Sequence, residues 1–168
     1  MFKEKLKKEL LDKLKKDLLD NKLRYKKAKE AAIDSPGRMQ SRYDSSKEEF
    51  NYEAEAIQKR IFEIKKNIEE LENLSINFNN DNINIGSVIK IKINDEIKNY
   101  FISPAGGGEI LNNDIMVITP LSPIGKILLD KKENESINFN DKKIKIIEIL
   151  WFQNIIKTNI KKITTETD

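Results

Sequence analysis

Tyr43, Phe50, Ala54, Ile57, Ile61, Ile64, Ile68 and Leu71 step by seven, four, three, four, three, four and three residues. That is the seam of a heptad repeat, and a helix carrying it must lay the seam against another helix. The partner is close in sequence. Leu6, Leu10, Leu14 and Leu18, then Tyr25, Ala28 and Ala32, recur at helical spacing upstream. Between the two patterns stands "DSPGR", where Pro36 and Gly37 supply a helix stop and a permissive dihedral. Two helices of similar length around such a break predict an antiparallel hairpin, each arm roughly 45 to 50 Å long at about 1.5 Å per residue.

The charges favour the same pairing. Met1 to Ile33 holds twelve basic and six acidic residues, whereas Asp34 to Leu74 holds seven basic and ten acidic. A lysine-rich first arm, "FKEKLKKELLDKLKKDLL", also fits an anionic surface such as nucleic acid or membrane. The interleaved acids and the acidic second arm favour a solvated, salt-bridged coiled coil, in which the apolar seam does most of the holding.

Near residue 75 the period changes from helical to alternating. "INIGSVIKIKIN" sets Val88, Lys90 and Lys92 against Ile89, Ile91 and Ile93, a half-buried strand introduced by Gly86. "KNYFIS" and "IMVITP" are further strand candidates, separated by "PAGGGEILNND". "ESINFNDKKIKIIEIL" reads as two strands turning at Asn140 and Asp141. In "ITPLSPIGKILLDKK", Pro120 and Pro123 force extended backbone before them, Ser122 is placed to cap, and Ile124, Ile127 and Leu128 follow at helical spacing. About five strands and one short helix make an α+β domain. The expected organisation is a hairpin over 1–75 with its tip at about 34–44, a small domain over 76–152, and an extension over 153–168 that continues apolar positions at Phe152, Ile155, Ile156, Ile160 and Ile163.

Several chemistries are excluded by composition. The 168 residues contain no histidine and no cysteine, which removes zinc sites of the usual kind, His-dependent triads and disulfides. There is no continuous apolar run of transmembrane length, and a cytoplasmic protein is expected. Gly106, Gly107 and Gly108 could cradle an anion with backbone amides, but "EILNND" follows them where a phosphate loop needs a lysine and a helix start, so a flexible loop is the better reading. Asp95, Glu96, Asp114 and Asp130 stand singly near turns without the paired spacing of acid-base catalysis. No catalytic residues and no cofactor are expected.

"VITPLSPIGKILLDKKENESINF" followed by "KIKIIEIL" resembles the C-terminal signature of bacterial Gre-type (GreA/GreB) transcript cleavage factors. That signature has a Ser-Pro-Ile/Leu-Gly or Ala segment, a short Leu-rich helix, a Gly-Lys-Lys-like turn and paired strands. The resemblance extends over about residues 1 to 150 and is strongest from Ile118 to Leu150. It implies a long N-terminal antiparallel coiled-coil hairpin followed by a small FKBP-like α+β domain, without implying prolyl isomerase activity. It also implies a monomer whose partner is RNA polymerase. Pro120, Ser122, Pro123, Ile124 and Gly125 would seat the domain on the rim of the secondary channel while the hairpin enters it.

Family members carry a D-x-x-E pair at the tip, thought to hold a magnesium ion in the polymerase site. Laying Lys47 to Glu49 over the family's Lys-Glu-Glu puts Pro36 and Met39 where those acids stand. The tip here is Asp34, Arg38, Met39, Gln40, Arg42, Tyr43 and Asp44. Asp34 and Asp44 are the remaining metal candidates, should the turn bring them together. Arg38 and Arg42 lie one helical turn apart and suit RNA or nucleotide phosphate, or polymerase carboxylates. The resemblance therefore implies a channel-binding regulator without ordinary cleavage stimulation. The competing reading is a non-catalytic coiled-coil adaptor or membrane-surface protein.

Overall fold

The computed structural model describes residues 2–35, 45–76, 81–140 and 142–150. Helix α1 spans Phe2–Asp34 and α2 spans Ser46–Glu72. Six strands and one short helix follow: β1 Val88–Ile93, β2 Glu96–Ile102, β3 Ile110–Leu111, β4 Ile115–Ile118, α3 Pro123–Leu128, β5 Ser136–Phe139 and β6 Lys142–Leu150. The chain forms two compact units, one of Leu11–Glu69 and one in which the residues up to Leu10 join those from Glu70 onward.

In the Leu11–Glu69 unit the arms run antiparallel, since contacts move down α2 as they move up α1. Arg60 pairs with Asp17 at 3.3 Å, Arg24 with Glu53 at 4.0 Å, and Lys29 Nζ donates to Asn51 Oδ1 at 3.4 Å. Leu14, Ala28 and Ala32 are buried with Ala54, Ile57, Ile64 and Ile68. Each half-exposed ion pair contributes a few tenths of a kcal/mol, so the seam dominates. One seam position was missed in sequence because it is polar. Asn21 is buried between Leu18 and Tyr25, and its Nδ2 donates to both the backbone carbonyl and the carboxylate of Asp17, each at 2.8 Å.

The other unit is a mixed sheet of order β3-β4-β2-β1-β6-β5, with β2 and β4 parallel and the remaining neighbours antiparallel. One face carries Ile89, Ile91, Tyr100, Ile102, Ile118, Ile144, Ile146 and Ile149, which pack with Ile83 and Leu128. Ile124 and Ile127 of α3 are only partly buried against this core. Burial of Tyr100 pushes its phenol above the usual value, so it stays neutral through the physiological range. The two-residue strand β3, within the glycine-containing segment between the expected strands, adds a sixth strand to the expected five.

The asparagine-rich composition has a local use. Every non-glycine residue with positive φ among those described is Asn or Asp: Asn94, Asn112, Asn113, Asp130, Asn134 and Asn140. These residues tolerate the left-handed region best after glycine, and they sit in the turns between the elements of the domain.

The base of the hairpin belongs with the sheet. Lys7 Nζ donates to the carbonyls of Glu72 at 3.0 Å and Leu74 at 2.8 Å, satisfying the free end of α2. The Glu9 carboxylate accepts from the Asn112 backbone amide at 3.1 and 3.2 Å. Leu10 lies directly over Gly106.

Candidate functional site

The corner between β4 and α3 is built from its own side chains. Ser122 takes an extended conformation, φ −67° and ψ 149°, and is the N-cap, with Pro123 opening the helix. Its hydroxyl donates to the Thr119 carbonyl at 2.7 Å and accepts from the Gly125 amide at 3.1 Å. The Ser122 amide also reaches the Thr119 carbonyl, at 3.0 Å. Gly125 is buried so close to that carbonyl that a Cβ would overlap its oxygen. Thr119, Ser122 and Gly125 thus form one closed hydrogen-bonded turn.

This separates the five residues expected to act together. Ser122 and Gly125 are engaged in shaping the corner, Pro120 and Ile124 are half-buried, and Pro123 is exposed. The turn also raises a residue outside those five. Leu121 is 82% exposed, the highest value among the large hydrophobic side chains of the described residues, on a backbone fixed from both sides. An apolar residue between two Pro-containing dipeptides was the available signal, because a tight turn has no interior in which to hide it.

After α3 the chain is tied down again. Asp130 and Ile83 exchange backbone bonds with their neighbours, Asp130 N to Ile83 O at 2.9 Å and Ile83 N to Lys131 O at 2.8 Å. A register shift in β6 leaves the Ile149 amide to the Glu133 carboxylate, at 2.7 Å. The "KKENES" stretch is therefore a clamp on the bulged strand.

The glycine run does not form an anion cradle. The Gly108 amide donates to Val117 O at 2.9 Å, and Gly106, at φ +74°, makes room for Leu10, whose Cδ1 would stand 2.8 Å from an added Cβ. The expected flexible loop is a packing surface for α1. Of the four single acids near turns, Asp95 pairs with Lys92 at 3.0 Å, Glu96 with Lys98 at 3.1 Å, and Asp114 accepts from Asn99 at 2.5 Å.

At the tip, Asp34 is exposed as the last residue of α1, and Ser35 Oγ caps back onto Ala31 O at 2.7 Å. Arg38, Met39, Gln40, Arg42, Tyr43 and Asp44 lie outside the described residues. Among the described residues no group of three or more acids could hold a metal ion.

The family model described as the C-terminal domain of the transcription elongation factors GreA/GreB matches residues 79–150, which include the whole corner. By this match the sheet domain is similar to the C-terminal domain of those factors. No curated protein sequence matches it. Among solved structures it is similar to the GreA factor homolog 1 (Gfh1) protein of Thermus thermophilus, at 21% identity over 84% of this chain and 94% of that one, with a TM-score of 0.37. It is also similar to a prokaryotic transcription elongation factor GreA/GreB from Nitrosomonas europaea, at 13% identity over 52% and 79%, with a TM-score of 0.35. Within the matched residues, the segment around Ser122 is the hydrogen-bonded corner with Leu121 at its apex.

Proposed function

We propose that this chain is an RNA polymerase-binding transcription factor that inserts its hairpin into the secondary channel and modulates elongation or initiation without ordinary stimulation of transcript cleavage. The match of residues 79–150 to the GreA/GreB C-terminal domain carries the reading. The FKBP-like domain seats on the channel rim through Leu121 and Pro123, both exposed, while Ser122 and Gly125 hold that corner in shape and Pro120 and Ile124 support it. An exposed leucine on a fixed turn loses little conformational entropy on docking, which suits it to anchor an interface.

The hairpin tip acts inside the channel. With Pro36 and Met39 in place of the family's acids, Arg38 and Arg42 contact RNA or nucleotide phosphate, or polymerase carboxylates, and Asp34 and Asp44 deliver no metal. The protein works as a cytoplasmic monomer. Burial of Leu6, Leu10 and Leu14 within a single chain supports this over an adaptor that dimerises through those residues.

The test uses stalled, backtracked elongation complexes from the same organism, with RNA length read on a gel and binding followed in parallel. Binding without RNA shortening is expected, and Arg38→Ala combined with Arg42→Ala should keep binding while removing any effect on elongation. Shortened RNA would mean that the tip acids deliver metal after all.

A further inference from the structure

Opposite its isoleucine core, the sheet has a second face. Toward one end this face is apolar and buried, through Val88, Phe101, Leu111, Ile115 and Val117. Toward the other end the alternation of β1 and β6 brings Lys90, Lys92, Lys143 and Lys145 to the same side. Successive lysines on one strand are about 7 Å apart and cross-strand neighbours about 5 Å apart, so four ammonium stems rise from one small patch.

Two adjacent cross-strand rows of this patch differ in charge. In the first, Lys90 sits between Glu148 and Asn99, with Glu148 3.6 Å from Lys90 Nζ. In the second, Lys92 sits directly across from Lys145, which in turn faces Ser136, and Lys143 faces Asn138. Like charges directly opposite one another destabilise a sheet, and one glutamate, as in the neighbouring row, would have relieved it. Asp95, at the turn after β1, reaches Lys92 at 3.0 Å. Lys143 and Lys145 are exposed and make no ion pair among the described residues. An anion lying across Lys92, Lys143 and Lys145 would turn the repulsion into attraction.

The residue types identify the anion. Protein interfaces deplete lysine and rely on aromatic, methionine and arginine anchors in desolvated pockets. Among the described residues the large apolar neighbour of the patch is Ile97, at its margin, and besides Glu148 and Asp95 the polar neighbours are Ser136, Asn138 and Asn99, the last bonded to Asp114. Lysine with serine and asparagine is the set that contacts phosphates without reading bases. We propose that the Lys92, Lys143 and Lys145 corner of the sheet is a contact surface for the phosphate backbone of nucleic acid, without base selection.

The full chain is titrated into short labelled duplex DNA and single-stranded RNA, each in two unrelated sequences, and anisotropy is followed across a range of salt concentrations. The wild type should bind all of them in a salt-dependent manner. The triple variant K92Q/K143Q/K145Q should lose about tenfold or more at low salt, with the log-log salt slope falling by about 2 to 3. Its melting temperature should be no lower than that of the wild type. K22Q/K26Q/K27Q, which removes the same charge from exposed positions of α1, should stay within about twofold of the wild type. Absence of wild-type binding, equal loss in both triple variants, discrimination between sequences, or competition by polyglutamate as effective as by nucleic acid would each overturn the proposal.

Discussion

Gly106 and Gly125 both resist replacement by alanine, for different reasons. Gly106 has a left-handed φ and lies under a flexible leucine side chain, whereas Gly125 has backbone oxygen where a Cβ would go. Gly125→Ala must move the corner itself and should destabilise the domain by about 1 to 3 kcal/mol or more, read from urea unfolding. Gly106→Ala should cost about 1 to 3 kcal/mol, and Leu10→Ala in the same chain should recover only the steric share, leaving the dihedral share visible in a double-mutant cycle. Leu121→Asp should leave stability within about 0.5 kcal/mol, because the side chain is already in water, while weakening polymerase binding about tenfold or more. The corner was legible because its signals are local: a capping serine, two prolines and a helical triplet within ten residues. The purpose of Gly106 was not, since its partner Leu10 is far away in sequence, and no local pattern reports a close approach between distant segments.

Among the elements, the two helices were read from period alone, because a heptad seam repeated over many turns outweighs any single residue. Asn21 is not legible from apolar periodicity because it is polar, although its position between Leu18 and Tyr25 keeps the spacing. Its amide is satisfied by Asp17, which also meets Arg60, so this polar seam position links both arms. Such residues fix register at some loss of stability. Ile64→Ala, removing a fully buried seam side chain, should cost about 2 to 5 kcal/mol in urea unfolding; a smaller loss would mean that the seam is looser than its burial indicates. In the sheet, β3 was missed because two residues are too short to show alternation. The β6 bulge falls at the Ile146–Ile147 doublet, where the alternation slips by one residue, and a single doublet in a strand does not by itself announce a bulge. Glu133→Ala leaves the Ile149 amide without its acceptor and should destabilise the domain by about 1 to 3 kcal/mol in the same measurement.

On the scale of the molecule, the base of the hairpin folds with the sheet domain through Lys7, Glu9 and Leu10, although the residues they meet, Glu72, Leu74, Asn112 and Gly106, lie far away in sequence. Sequence order alone could not show that sharing. It makes the N-terminal turns part of the domain that carries the corner, and deleting residues 1–10 should expose that domain's apolar face and lower its stability. The most direct measurement is binding of the purified chain to core RNA polymerase from its own organism, by mass photometry and by competition at the secondary channel, with Leu121→Asp alongside. A one-to-one complex displaced by a channel ligand, and weakened by the Leu121 substitution without loss of folding, is expected. Absence of the complex at micromolar concentrations, or binding that neither the channel ligand nor Leu121→Asp affects, would contradict the proposed function.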